Sequence, residues 1–268
     1  MKEYSIEKLY KKKIIDNTKV TVSGWIKTNQ HSSKIGFIEL NDGSTIKNVQ
    51  IVYHSNKSFF TELSKLLTGS SLTVIGFFKN TIGKQQPFEI VVEKVVDFCK
   101  CDNDYPLQKQ KHSFEFLRDI AHIRGSSNTF IAVNSVRNVL SISIHKFLQR
   151  KKFIWIHNPI ITSNDAEGAG ENFKVFVNDK NFFNKDSFLT VSGQLHVEAL
   201  VLALKKVFTF SPTFRAEKSN TTTHASEFLM MEPEIAFVDL TGCMKILESL
   251  LKFCITSVLK KCKKNLLK

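Results

Sequence analysis

Over the first hundred residues, apolar and polar positions alternate with the two-residue period of strands that bury one face. The pattern covers residues 20–27, 35–40, 49–53, 72–78 and 88–96, and it predicts five short strands. Between the third and the fourth the period changes, and Phe59, Phe60, Leu63, Leu66 and Leu67 fall at helical spacing over 57–67. Asn41-Asp42-Gly43, Gly69-Ser70-Ser71 and Gly83 punctuate the runs as turns. From His112 the rhythm lengthens. Ile131, Val133, Val136, Val139, Leu140, Ile142, Ile144 and Phe147 mark an amphipathic helix over 130–147. Residues 153–156 and 188–191 read as short strands, 195–207 as a helix, and 208–237 as strand, polar loop, strand. A last helix over 241–259 runs into a lysine-rich end.

Three strands, a helix and two strands is the order of an OB-fold, a small barrel that commonly offers one face to single-stranded nucleic acid. The predicted fold class is α+β. An N-terminal OB-fold β-barrel occupies 1–98, a linker 99–111, where periodicity is lost and charge and a proline enter, and a second domain 112–268.

Composition adds limits rather than an answer. With 42% apolar residues over 268 positions, two real cores can form. The net charge is +13, spread along the chain: residues 1–100 carry 15 Lys+Arg against 9 Asp+Glu, the remainder 23 against 16. That balance suits a polyanionic partner. It equally fits compositional drift, since Lys, Ile, Asn and Phe are all plentiful, with 23 Phe against 2 Trp. Five cysteines without a CxxC pair point to reduced thiols in a cytoplasmic protein, and the lone Cys99-x-Cys101 pair is a weak zinc signal without a second pair. No run is long and apolar enough for a membrane span, and the N-terminus has no apolar signal core, so the expectation is a soluble chain with no membrane partner.

The chemistry concentrates in 208–237. Arg215 and Glu217 close the first strand, His224 and Phe228 open the second, and Glu232 and Glu234 lie further along it. Arginine presents a planar fork to phosphate, a phenylalanine face can stack a purine, and a carboxylate can accept from an ammonium or an amide. Such parts suit a site that takes a nucleotide and a small amino acid together. The segment resembles motif 2 of the class II aminoacyl-tRNA synthetases, and its ending EFLMMEPEIAF (227–237) is similar to the asparaginyl branch. Three further blocks match in order: HSFEFLRDIAHIRGSSN (112–128), NPIITSNDAEGAGENFKV (158–175) and FLTVSGQLHVEAL (188–200).

That resemblance implies an asparagine–tRNA ligase fold, with 1–98 as anticodon-binding barrel and 112–268 as a partial antiparallel-sheet catalytic domain bearing motifs 1 and 2. It implies ATP, asparagine and tRNA(Asn) as ligands and a homodimer with Pro159 at the interface. Arg215 would bind the α-phosphate of ATP and act in catalysis. Phe228 would stack on the adenine or serve as core, and His224 would approach the triphosphate or remain a surface residue. Glu217 would accept from the adenine amine or merely orient Arg215. Glu167, in the Gly-flanked AEGAG loop, would meet the substrate ammonium, with Ser192 and Gln194 lining the same pocket and Glu232 accepting from the asparagine amide. An acid there would repel an aspartate side chain. The segment Leu195-His196-Val197-Glu198 also lacks the lysine that aspartyl relatives place after this block. On the barrel, Phe37 would stack an anticodon base or belong to the core, and Gln50 would read a base edge. Thr223 stands where the family usually has an arginine, and 27–30 is polar where the family is arginine-rich. No motif 3 follows before Lys268, so the ligands of Mg²⁺ are expected outside this sequence. The expectations are an unpaired edge and an exposed apolar face over 208–237, and a chain that catalyses poorly by itself. The alternatives are a non-catalytic tRNA-binding remnant and aspartyl or mixed specificity.

Overall fold

The computed structural model describes residues 3–81, 86–108, 110–164, 166, 171–178, 182–219, 221 and 223–266. The chain divides into two compact units, Met1–Arg137 with Cys262–Lys268, and Asn138–Lys261.

In the first unit a short helix α1 (Ile6–Lys11) precedes the strands β1 (Lys19–His31), β2 (Ile35–Asn41) and β3 (Val49–His54), then helix α2 (Phe60–Ser64), β4 (Ser71–Asn80) and β5 (Phe88–Cys99). The strands close into a barrel in the order β1-β2-β3-β5-β4, with β4 also paired to β1 and β3 running parallel to β5. This is the OB-fold read from the alternation. Its core is the inward set of that period: Val20, Val22, Ile38, Leu40, Val49, Ile51, Tyr53, Val74 and Ile90 are all essentially buried. Helix α1 escaped the sequence reading. Ser5 caps it, the Asp42 carboxylate accepts from the Ile6 N–H at 2.8 Å, and Ile6 and Leu9 plug the barrel. The inserted helix is shorter than expected because Asn29 binds the Leu63 and Leu66 carbonyls at 2.8 and 2.9 Å and ends it as a turn. After the barrel come α3 (Phe114–Asp119), a 3₁₀ turn at Arg124–Ser126, and α4 (Asn128–Arg150). The division between units falls within α4.

The second unit holds β6 (Ile154–Trp155), β7 (Ile161–Thr162), β8 (Phe188–Leu189), α5 (Gln194–Leu204), β9 (Lys206–Phe214), β10 (Glu227–Ile235) and most of α6 (Leu240–Leu266). The sheet order is β10-β9-β6, and β7 pairs with β8 separately. Helix α5 stops at Leu204, three residues before the expected end, since Lys205 turns left-handed (φ 67°) and delivers Val207 into β9. Helix α6 runs past the expected Leu259. The outer edge of β10 has no strand partner among the described residues. The apolar sheet face is not bare, in contrast to the expectation: Phe208, Phe210, Met231 and Ile235 pack on Phe147 and Leu148 of α4 and Leu250, Phe253 and Cys254 of α6. Leu229 on that face remains exposed. No helix among the described residues is long and apolar enough to cross a membrane.

Candidate functional site

Strands β9 and β10 pair without a break, from Phe214 opposite Glu227 to Lys206 opposite Ile235. Residues directly opposed across an antiparallel pair share a face. One face therefore gathers Val207, Thr209, Ser211 and Thr213 with Glu234, Glu232, Met230 and Phe228 opposite them. The other carries the phenylalanines that meet α4 and α6. The Arg215 N–H donates to the Ser226 carbonyl at 3.0 Å, which extends the pairing by one step and keeps Arg215 on the polar face.

Glu232 is the best-anchored acid of that face. The Ser192 hydroxyl donates to its Oε1, and the Gly193 N–H lies 3.2 and 3.0 Å from Oε1 and Oε2. The turn that presents these donors is self-tied. Gln194 N–H donates to the Ser192 hydroxyl at 3.1 Å and Thr190 Oγ1 donates to the Ser192 carbonyl. Below it Thr209 donates to Asn158 Oδ1, and Asn158 Nδ2 is buried with no partner. Glu234, two residues on, has its carboxyl pushed above the usual range by burial and then by the charges of Glu198 and Glu232.

Arg215 and Phe228 come together: the guanidinium carbon lies 5.6 Å from the ring centroid. Its Nε is buried and unpaired, a donor without an acceptor. Glu217 and His224 are exposed in the intervening loop, with His224 Nδ1 bonded to the Thr221 hydroxyl. No ion pair joins Glu217 to Arg215 among the described residues. The structure thus groups Arg215 with Phe228 on one ribbon and brings Ser192 to Glu232 further along it, while Gln194 joins that group through its backbone N–H on the Ser192 hydroxyl. Glu167 lies outside the described residues, as does the Gly83 turn. Pro159 is exposed beside the buried Asn158. Among the described residues no group of three or more His, Cys, Asp or Glu is arranged to hold a metal ion.

On the barrel, Phe37 points outward and is 38% exposed, between Gln30 of β1 and Val52 of β3. It is not core. Gln50 shares that outer face and donates to Glu89 Oε2 at 3.3 Å. Of the polar 27–30 segment, Asn29 turns inward and accepts from the Tyr53 hydroxyl at 3.0 Å. Lys27, with its pKa lowered by burial, donates to the Ser126 carbonyl at 2.9 Å. Sequence reasoning missed Trp25, exposed on the same barrel. It also missed Asn158, Gly193 and Thr209. The alternation Thr209, Ser211, Thr213 between phenylalanines was a signal for the last of these.

Comparison with known proteins adds identity to this geometry. Residues 116–267 match the family model of tRNA synthetases class II (D, K and N), and residues 20–98 that of an OB-fold nucleic acid binding domain. An asparagine–tRNA ligase of Clostridium tetani is 49% identical over 276 aligned positions, covering 97% of this chain and 59% of that protein. One from Desulfitobacterium hafniense is 47% identical, covering 91% and 56%. The crystal structure of asparaginyl-tRNA synthetase from Pyrococcus horikoshii complexed with asparaginyl-adenylate superposes with a TM-score of 0.85 at 30% identity, over 93% of this chain and 57% of that one. The Entamoeba histolytica asparaginyl-tRNA synthetase in complex with asparaginyl-adenylate gives 0.78 at 26%, over 92% and 56%. The chain therefore spans less than two thirds of the length of the relatives it matches.

Proposed function

The chain belongs to the class II tRNA synthetases of the D, K and N group, and from that premise we propose that it serves asparagine–tRNA ligation. In the proposed reaction the asparagine carboxylate attacks the α-phosphate of ATP in line. The P–O bond to the leaving pyrophosphate breaks, and asparaginyl-adenylate forms. A terminal ribose hydroxyl of tRNA(Asn) then takes the acyl group and releases AMP. No side chain need act as a nucleophile, and positioning with charge stabilisation carries the rate.

The observation that supports this most is the single polar face of the β9–β10 ribbon. Arg215 at one end offers an unpaired, buried Nε–H to a phosphate, and Phe228 beside it offers a ring to the purine. Glu232, four residues along β10, sits roughly 13 Å from Phe228 at the ordinary strand rise. An extended aminoacyl nucleotide covers that separation. Glu232 as an acceptor takes an amide N–H₂ and disfavours a second carboxylate, which favours asparagine over aspartate. Gln194 and Glu167 complete the amino-acid pocket in this reading, and Glu217 and His224 flank the nucleotide. Mg²⁺ would neutralise phosphate charge when bound. Phe37 and Gln50 would contact the anticodon, Pro159 a second copy, and the setting would be the cytoplasm.

The test is calorimetric titration of the chain with asparagine, aspartate and ATP, alongside asparagine-dependent pyrophosphate exchange and tRNA binding. Asparagine and ATP binding support the reading, whether or not exchange is fast. Tight, salt-sensitive RNA binding with neither small ligand would replace it with a non-catalytic RNA-binding role.

A further inference from the structure

Glu232 can select an amide only if its carboxylate presents acceptor capacity in one fixed direction. Two neighbours that do not themselves need to touch the substrate provide that. Gly193 N–H addresses both carboxylate oxygens, at 3.2 and 3.0 Å, and the Ser192 hydroxyl donates to Oε1. An ionised carboxylate has about four lone-pair sites. These donors engage Oε1 twice and Oε2 once, through the shared Gly193 N–H, and leave the rest of the capacity of Oε2 for an incoming N–H.

Gly193 has no conformational reason to be glycine, since its φ of −90° is open to any residue. The reason is space. A Cβ there would lie 2.7 Å from Asn158 Nδ2, 2.8 Å from Thr209 Cγ2 and 3.1 Å from Glu232 Oε2. Asn158 and Thr209 are buried and bonded to each other, so the turn that carries Gly193 is what must shift, and it takes the Gly193 N–H away from Glu232.

We propose that Gly193, with the Ser192 hydroxyl, is a specificity-determining element that acts through Glu232. The pair clamps the carboxylate as a one-directional acceptor and so sets the preference for a carboxamide side chain over a carboxylate. Both are positioning residues. This rests on the reading of Glu232 as the amide acceptor, and it replaces direct substrate contact as the role of the Ser192 hydroxyl.

Calorimetric titration of the full chain with L-asparagine and with L-aspartate tests it, using Gly193→Ala, Ser192→Ala, Ser192→Thr and Glu232→Gln, and Gly193→Ala combined with Glu232→Gln. Losing a hydrogen bond to a charged group predicts a roughly tenfold or greater fall in the asparagine-to-aspartate affinity ratio for Gly193→Ala and Ser192→Ala. Ser192→Thr, which keeps the hydroxyl, should restore most of it. In the double variant, adding Gly193→Ala to Glu232→Gln should change the ratio little further, since both act on one carboxylate. A merely structural role would weaken both ligands alike. An unaltered ratio in Gly193→Ala and Ser192→Ala, or full additivity in the double variant, overturns the inference while leaving asparagine binding intact. Failure of the unaltered chain to prefer asparagine overturns the functional reading beneath it.

Discussion

Replacing Phe37 with alanine separates the two roles that alternation leaves open to an aromatic residue on a barrel strand. The ring stands on the outer face of β2, 38% exposed, while its neighbour Ile38 is fully buried. Full burial of a phenylalanine is worth about 1.5–3 kcal/mol, so truncating a ring that is only partly covered should cost about 1 kcal/mol of stability. Ile38→Ala, by contrast, opens a core cavity and should cost about 2–5 kcal/mol. Binding should show the reverse order. A base stacked on an aromatic side chain is worth about 1–3 kcal/mol, or roughly five- to 150-fold in Kd. Phe37→Ala should therefore weaken binding of an anticodon stem-loop by that factor. Urea denaturation and fluorescence anisotropy, run at several salt concentrations, measure both sides. The slope of log Kd against log salt should not change, because the ring neutralises no phosphate. If Phe37→Ala binds RNA as tightly as the unaltered chain, or destabilises the fold as much as Ile38→Ala, the assignment of Phe37 to an RNA face is wrong.

Arg215→Ala should lower ATP affinity roughly ten- to 150-fold, the worth of a hydrogen bond to a charged group, while Arg215→Lys recovers part of it; isothermal titration with ATP decides. Glu234→Gln should raise the melting temperature at neutral pH and leave it unchanged in acid. Because the folded-state pKa of Glu234 is raised by burial and by the charges of Glu198 and Glu232, the native state holds that proton longer than the unfolded chain. Stability therefore falls as pH rises from the ordinary glutamate range to the raised value, and the variant should flatten that part of a melting-temperature profile. Gly36→Ala should destabilise the barrel by about 1–3 kcal/mol in urea, the cost of overpacking, since its Cβ would overlap the Tyr53 ring opposite it.

Period-two patterning made the barrel legible because long stretches of its strands bury one face, β4 without a break from Leu72 to Phe78. The same pattern misleads where the period slips. Ile26 and Asn29 both face inward, three residues apart, because the register of β1 against β2 shifts between Ile26 and Thr28. A bulge inserts one residue and reverses the phase beyond it. That is why Asn29, polar and unremarkable in the sequence, ends up beneath the Tyr53 hydroxyl and two backbone carbonyls. In the second unit the residues of β9 and β10 could be assigned to faces from the sequence, but not to partners. Glu232 meets Thr209 only through a register that the intervening polar loop does not announce. The Ser192–Gly193 clamp was hidden for the same reason, its donors being forty and thirty-nine residues from their acceptor. The shortening of α5 was hidden by apolar residues at Val201 and Val207 that fit helix and strand alike, until Lys205 breaks between them.

The unsatisfied polar atoms carry the last step. Among the described residues of the second unit, the buried side-chain atoms without a hydrogen-bond partner are Asn158 Nδ2, His196 Nδ1, Thr213 Oγ1 and Arg215 Nε. Thr213 and Arg215 lie on the polar face of the β9–β10 ribbon, Asn158 bonds to it through Thr209, and His196 sits on α5 two residues after Gln194. Each unmet group costs about 1–3 kcal/mol relative to a paired one. A sheet selected for stability alone would fill these places with valine or leucine, as it does on the opposite face with Phe208 and Phe210. Local rules broken together on one face, and obeyed on the other, mark where a fold gives up stability for a ligand. On the ribbon itself Arg215 offers an N–H, which calls for an oxygen acceptor, and Glu232 on the same face offers carboxylate oxygens in return. Under the proposed function an asparaginyl nucleotide, with phosphate and carbonyl oxygens along its length and an N–H₂ at one end, would answer that pattern.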